Sequence, residues 1–287
     1  MNRRKEALEG SLFIAPFLLF AAVFMLFPMF KGIINSFYDF KFGGHIFVGL
    51  QNYLDIFKDK VYLQSMKNTL LFVFAVVPLL IVVGILVAGS VFDKCQAYMS
   101  FVRVSLYVPV VASMVVMAII WRFLLDSQSG LLRYFYMVFD IAPVNLLGDA
   151  NWTRILLIII LFTMNIGQSI ILYLAVMIGI PSDLTDALKI DGGARLDLFR
   201  HILIPISAPI TLFIFITQTA AVLRVFVVIQ LLTNGGPNYG STTMMYQLYQ
   251  QGFRYGNFGT ASALGVVMFI FTLALALVQF KTIKVKR

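Results

Sequence analysis

The sequence predicts an all-α polytopic membrane protein: six transmembrane helices, a polar cytoplasmic loop between the fourth and fifth, and both termini in the cytoplasm. Three observations carry this. The 287 residues are 60% hydrophobic and only 12% charged, about half the charged fraction of a soluble domain. Six segments approach or exceed the roughly 20 apolar residues that a bilayer crossing takes: about 12–37, 70–91, 104–125, 155–180, 206–232 and 260–280. Lys and Arg gather at the segment ends, where they set topology. One transmembrane domain, 1–287, accounts for the whole chain.

The first segment follows MNRRKEALEG and stays apolar from Ser11 to Phe30. A secretory signal has an apolar core of only about 7–15 residues, so this reads as an uncleaved first span. With the N-terminus inside, Arg3, Arg4 and Lys5 at one end and Lys281, Lys284, Lys286 and Arg287 at the other are cytoplasmic. The outer loops are longer in total and carry fewer basic residues, as the positive-inside rule requires. The formal charge of +9 therefore speaks of topology and not of nucleic acid. The single Cys95 excludes an intrachain disulfide and a Cys-rich metal site.

The first outer loop, Tyr38–Lys67, contains GLQNYLDIF, the pattern of a short interfacial helix. The second, Asp126–Thr153, holds Asn151-Trp152-Thr153, a sequon too short to carry weight. The third, Thr233–Gly259, opens on the turn signal Asn234-Gly235-Gly236-Pro237 and continues into a polar-aromatic helix with Tyr246, Gln247, Tyr249, Gln250 and Gln251.

The polar island of the chain is 181–205, PSDLTDALKIDGGARLDLFRHILIP, with four Asp, one Lys, two Arg and one His. Ser182 is placed to cap a helix beginning at Asp183. Asp183 and Asp186 suit the positive end of its dipole. Gly192-Gly193 interrupts it, a second helical piece runs Ala194–Leu203, and Pro205 ends that piece. Helix, Gly turn, helix and Pro make a knob able to fit a cleft on a partner.

This island resembles the EAA loop of ABC importer permeases, whose pattern is E-A-A, three residues, G, nine residues, I, one residue, L-P. Asp186-Ala187-Leu188, Gly192, Ile202 and Ile204-Pro205 meet every spacing, with Asp for Glu, Leu for the second Ala and Ile for Leu. The fuller form in carbohydrate-type permeases is matched by Ile180, Pro181, Leu184, Asp186, Ala187, Ile190, Asp191 and Gly192. LTNGGPNYGSTTMMYQLYQQGF, from Leu232 to Phe253, and GLQNY are similar to further motifs of the maltose and glycerol-3-phosphate type. The resemblance covers essentially the whole chain.

It implies a permease of a prokaryotic-type cytoplasmic membrane that imports a carbohydrate by alternating access. Asp186, Ala187, Leu188, Asp191, Gly192 and Pro205 would belong to a coupling helix and its turn, seated on a cytoplasmic ATPase subunit. The expected partners are a second permease, favouring a heterodimer, two copies of the ATP-binding subunit, and an extracytoplasmic solute-binding protein. ATP and Mg would be used by the ATPase, and no cofactor by this chain. A non-sugar solute is the alternative cargo.

Polar side chains inside spans usually face a bundle interior. Trp121 lies near the outer end of the third span, Asn165 and Gln168 share one face of the fourth, and Thr217, Gln218 and Arg224 lie on the fifth. With Tyr246 of the third outer loop they are the candidate substrate path. Arg224 is a full charge in the middle of an apolar run. It calls for substrate or cavity contact, or for helix-end carbonyls. Asn165 and Gln168 serve equally as interhelical glue.

A membrane enzyme would need clustered His, Asp or Ser. His45 and His201 are the only histidines and fall on opposite sides. No Gly-rich phosphate loop ending in Lys-Ser/Thr is present, so ATP hydrolysis is not expected here. An autonomous ion-coupled carrier would show inverted repeats or intramembrane acids, and neither is evident in the sequence.

Overall fold

The computed structural model describes residues 13–40, 44–140 and 142–282. The basic clusters at the two ends, Arg3 to Lys5 and Lys284 to Arg287, lie outside the described residues. The chain is mostly helical. In order come α1 (Phe13–Asn35), β1 (Tyr38–Asp39), β2 (Ile46–Phe47), α2 (Gln51–Lys58), α3 (Lys60–Val91), α4 (Gln96–Val111), α5 (Met114–Leu124), α6 (Leu131–Val138) and α7 (Ala150–Ile178). There follow α8 (Ser182–Ile190), α9 (Arg195–Ile206), α10 (Ala208–Leu223), α11 (Val227–Leu232), α12 (Met244–Tyr249) and α13 (Phe258–Thr282). Four helices, α1, α3, α7 and α13, are long and apolar enough to cross a membrane. The pairs α4–α5 and α9–α10 pass the same test only together, bent by 96° and 67°.

The described residues form two compact units, those within 1–59 and 247–269 and those within 60–246 and 270–287. In the first, α1 buries none of its described residues. The short loop after it pairs β1 and β2 antiparallel, Tyr38 opposite Phe47 and Asp39 opposite Ile46. Asn52 of α2 donates to the Ser36 and Tyr38 carbonyls at 2.8 and 3.0 Å, and the Ser36 and Tyr53 hydroxyls share a 2.6 Å bond. The GLQNYLDIF segment is thus helical, as its pattern predicts, and its polar face stitches the chain leaving α1.

In the second unit α3 and α7 pack along their length, with α4 on α7, α10 on α3 and α11 on α5. Phe72, Val76, Leu157, Ile160, Tyr173 and Ile214 are among its fully buried side chains. Lipid is as apolar as leucine, so these helices gain mainly from close packing. Small residues mark the closest approaches. A Cβ on Gly167 would lie 2.0 Å from the Leu106 carbonyl oxygen, and one on Gly84 3.2 Å from the Tyr173 ring.

Three expected elements differ. The segment 104–125 is not one helix: α4 starts at Gln96, and the chain turns extended at Ala112 before the Ser113 hydroxyl caps α5 by accepting from the Val115 amide. The segment 206–232 is interrupted twice, at Ser207 and again at Arg224–Phe226. Pro205 does not end its helix. A π turn, Phe199–Leu203, re-phases the hydrogen bonds so that Pro205 falls in the first turn of the next α segment, where a missing N–H costs little. The break follows at Ser207, ahead of Pro209.

Gly167→Ala should therefore overpack the α4–α7 contact and destabilise the protein by about 1–3 kcal/mol. The measurement is the thermal unfolding midpoint in detergent, with Gly32→Ala, which meets nothing within 4 Å, as the control.

Candidate functional site

Two features carry chemistry: the knob α8–α9 and a cavity beside the break between α10 and α11. The knob begins at Pro181, whose extended backbone (φ −58°, ψ 135°) turns the chain directly into α8. Ser182 is consequently the first helical residue and not a side-chain cap, a correction to the sequence reading. Its carbonyl accepts from the Thr185 hydroxyl at 2.8 Å. The helix ends in a Schellman turn: Gly193 N–H bonds to Leu188 O at 2.9 Å and Gly192 N–H to Lys189 O at 3.1 Å. Gly192 has φ +74°, a conformation that side chains disfavour.

The two faces of α8 differ. Thr185, Leu188 and Lys189, with Phe92, Asp93 and Arg195, line a cavity of about 200 Å³ beneath the helix. Leu188 also fills the space above Gly193. Outward, Leu184 is 47% and Ile190 85% exposed, beside Asp183, Asp186, Ala187 and Asp191, all exposed. Asp186 accepts from Lys189 Nζ at 2.8 Å. That hydrogen bond, then the Asp186 charge and, more weakly, Asp93, hold the Lys189 ammonium above its usual pKa. The pair is open to water, so it is worth little and Asp186 can exchange its partner at small cost.

Arg195 is the residue the sequence reading missed. Its Nη2 donates to the Gly89 and Ser90 carbonyls at 3.2 Å each and lies 3.8 Å from Asp93. These are end carbonyls of α3, which lack helical partners and attract cations. Just below, the Phe199 ring sits over Gly89: a Cβ there would meet it at 2.5 Å. Arg195, Phe199 and the buried Leu203 thus fasten α9 to the end of α3. No local signal marks this joint, since its halves are about a hundred residues apart in sequence.

The cavity beside the helix break measures about 310 Å³. Of the predicted path residues it gathers two, Asn165 and Arg224. Arg224 is the C-terminal cap of α10 and its Nε donates to the Ala220 carbonyl at 3.0 Å. Asn165 Nδ2 donates to Leu161 O at 2.7 Å. The others are elsewhere. Gln218, buried, reaches Gln168 at 3.4 Å as an α10–α7 contact. The Thr217 hydroxyl bonds back to Phe213 O. Trp121 packs against the core. Tyr246, 5% exposed, donates to Asn234 O at 2.8 Å and stacks near Phe226. It braces the loop behind the cavity wall and does not line the cavity.

The family profile described as "Binding-protein-dependent transport system inner membrane component" matches residues 69–282. The chain belongs to this family. It is an ABC importer permease, a multi-pass protein of the cytoplasmic membrane. Among curated relatives, the "Probable ABC transporter permease protein YesP" of Bacillus subtilis is 31% identical over 287 residues, covering 97% of this chain and 91% of the relative. The "Lactose transport system permease protein LacF" of Rhizobium radiobacter is 28% identical over 97% of this chain and 95% of its own. A chain from the crystal structure of a bacterial alginate ABC transporter, in complex with its alginate pentasaccharide-bound periplasmic protein, aligns with a TM-score of 0.83. That match, at 21% identity, covers 96% of this chain and 93% of that one, and establishes the permease fold.

Gly192→Ala should cost about 1–2 kcal/mol through backbone strain alone, since no atom lies within 4 Å of its Cβ position. Gly192→Asn should cost less, because Asn tolerates this conformation. Thermal unfolding of the purified permease compares the two.

Proposed function

We propose that this permease is the membrane subunit through which a binding-protein-dependent ABC importer moves a carbohydrate into the cell, driven by an ATPase that docks on α8. The observation that carries the reading is the exposed knob: a turn-bounded helix with Leu184, Ile190 and Asp186 outward, clamped by Arg195 to a helix long enough to span the bilayer. A docked subunit that moves α8 also moves α3, because Arg195, Phe199 and Leu203 fasten α9 to the end of α3.

In this reading the chain crosses the membrane six times, each bent pair being one crossing, with both termini inside and the knob on the cytoplasmic side. Ala187 leaves room for close approach of the ATPase. Asp186 exchanges Lys189 for a basic group on it, and Asp191 adds to the same acidic rim. Leu188 and Gly192 hold the turn rigid, and Pro205 leads the chain back to the membrane. Two ATPase subunits hold the ATP and Mg. A second permease, different from this one, completes the pathway, and an extracytoplasmic solute-binding protein delivers the cargo. ATP drives the switch between inward and outward openings only through unequal affinity for the two states. The carbohydrate cargo rests on the sequence motifs and on the sugars named for the relatives.

Purification with the neighbouring subunits should recover the ATPase with the wild-type permease. Ile190→Asp with Leu184→Asp should lose it. Gly192→Pro should keep membrane insertion yet uncouple ATP hydrolysis from uptake, because proline cannot take φ +74°. Arg195→Ala should lower uptake more than ATPase activity, by freeing α9 from α3. Normal uptake by the Gly192→Pro complex in proteoliposomes would refute the coupling role.

A further inference from the structure

The cavity between α10 and α11 carries an unbalanced charge. It is lined by Met114, Leu161, Met164, Ala221, Phe226 and several valines, with only two polar side chains, Asn165 and Arg224. No Asp or Glu lines it. The guanidinium is exposed. Its Nε is taken by Ala220 O, and among the described residues its Nη groups have no acceptor. Four N–H donors in a planar fork are therefore left over on a residue that lines a cavity otherwise apolar but for Asn165. Asn165 has spent one of its two amide hydrogens on Leu161 O, which leaves its Oδ1 as an acceptor.

This arrangement suits one kind of cargo better than another. A neutral sugar entering the cavity would offer the guanidinium hydroxyl acceptors but no countercharge, and a cation is costly to hold without one where the surroundings are apolar. An anionic group pairs with the fork through two parallel charge-assisted hydrogen bonds. The neighbouring Asn165 carbonyl then accepts from a sugar hydroxyl. We infer that the cavity beside the α10–α11 break is a selectivity site for anionic carbohydrates, with Arg224 binding the acidic group and Asn165 a hydroxyl. The inference rests on the importer reading for the presence of a sugar in this cavity. The position of the charge is independent of that reading. The break itself is what makes the site: it ends α10 at Leu223 and leaves Arg224 as the C-cap, its Nε bonded back to Ala220 O and its Nη groups left over.

The test uses the assembled permease–ATPase complex in nanodiscs. Val227, which lines the cavity, is changed to cysteine in a Cys95→Ser background. The first measurement is the ratio of its modification rates by anionic and cationic methanethiosulfonates. Arg224→Gln should lower the anionic-to-cationic ratio by about fivefold or more, and Arg224→Lys should largely keep it. The second is protection of the same cysteine by cellobiose, cellobiouronate and cellobiose 6-phosphate. Either anionic sugar should protect at concentrations about tenfold lower than cellobiose, and Arg224→Gln should erase the difference. Their order separates carboxylate from phosphate as the preferred group. An unchanged rate ratio in Arg224→Gln, equal protection by neutral and anionic sugars, or no protection by the anionic ones overturns the inference. Failure of the wild-type complex to take up any sugar with ATP sinks the importer reading instead, and leaves the charge ratio as measured.

Discussion

The constraint on which this structure depends is that main-chain polar groups inside an apolar medium must find partners within the protein. The long helices satisfy it by themselves. The interruptions do not, and at the break between α10 and α11 side chains complete the bonding. At the end of α10, Arg224 returns its Nε to Ala220 O. One residue later the Val225 carbonyl accepts from the Thr243 hydroxyl at 3.0 Å, and that same hydroxyl receives the Tyr246 amide at 3.2 Å. Asn68, inside α3, donates to the Tyr239 and Thr242 carbonyls, while Thr69 receives the Met244 amide. The segment after α11 is therefore bound into the helices. Its Ser241, Thr242 and Thr243 are almost wholly buried.

The same economy explains how the knob is attached. A helix end needs acceptors for its surplus carbonyls, or donors to fill them. At the end of α3 the donor is Arg195, which belongs to the segment that must follow any force applied to α8. One guanidinium thus completes a helix terminus and couples two elements. Its partner contacts, Phe199 on Gly89 and Leu203 beneath, turn the attachment from a single charged contact into a packed joint. Packed joints transmit displacement because they have no slack.

Much of this was legible in the chain. The spacing from Asp186 through Gly192 to Pro205 defined the knob, and the Schellman turn formed where Gly192-Gly193 predicted it. The helix in GLQNYLDIF and the turn at Asn234–Pro237 followed from local pattern. The breaks did not. Neither Ala112-Ser113 nor Arg224–Phe226 contains a glycine or proline, so periodicity reads through both. The π turn that carries α9 past Pro205 is invisible for the same reason: it is a change in hydrogen-bond register, not in residue type. The burial of Tyr246 was not legible, because a polar-aromatic run outside a span looks wet, whereas here its hydroxyl has the Asn234 carbonyl to serve in a buried loop.

Sequence by itself determined the family, the helical membrane-spanning class and the position of the polar knob, because these depend on apolar length and on short-range spacing. It also marked Arg224 as anomalous, since a charge in an apolar run is conspicuous in one dimension. Tertiary structure decided which cavity that charge lines, which of the candidate path residues share it, and that Arg195 binds the end of α3. Those are contacts between residues tens to hundreds of positions apart, and no local propensity encodes them. They arise only when packed helices bring a donor to within about 3 Å of a carbonyl that has no other partner.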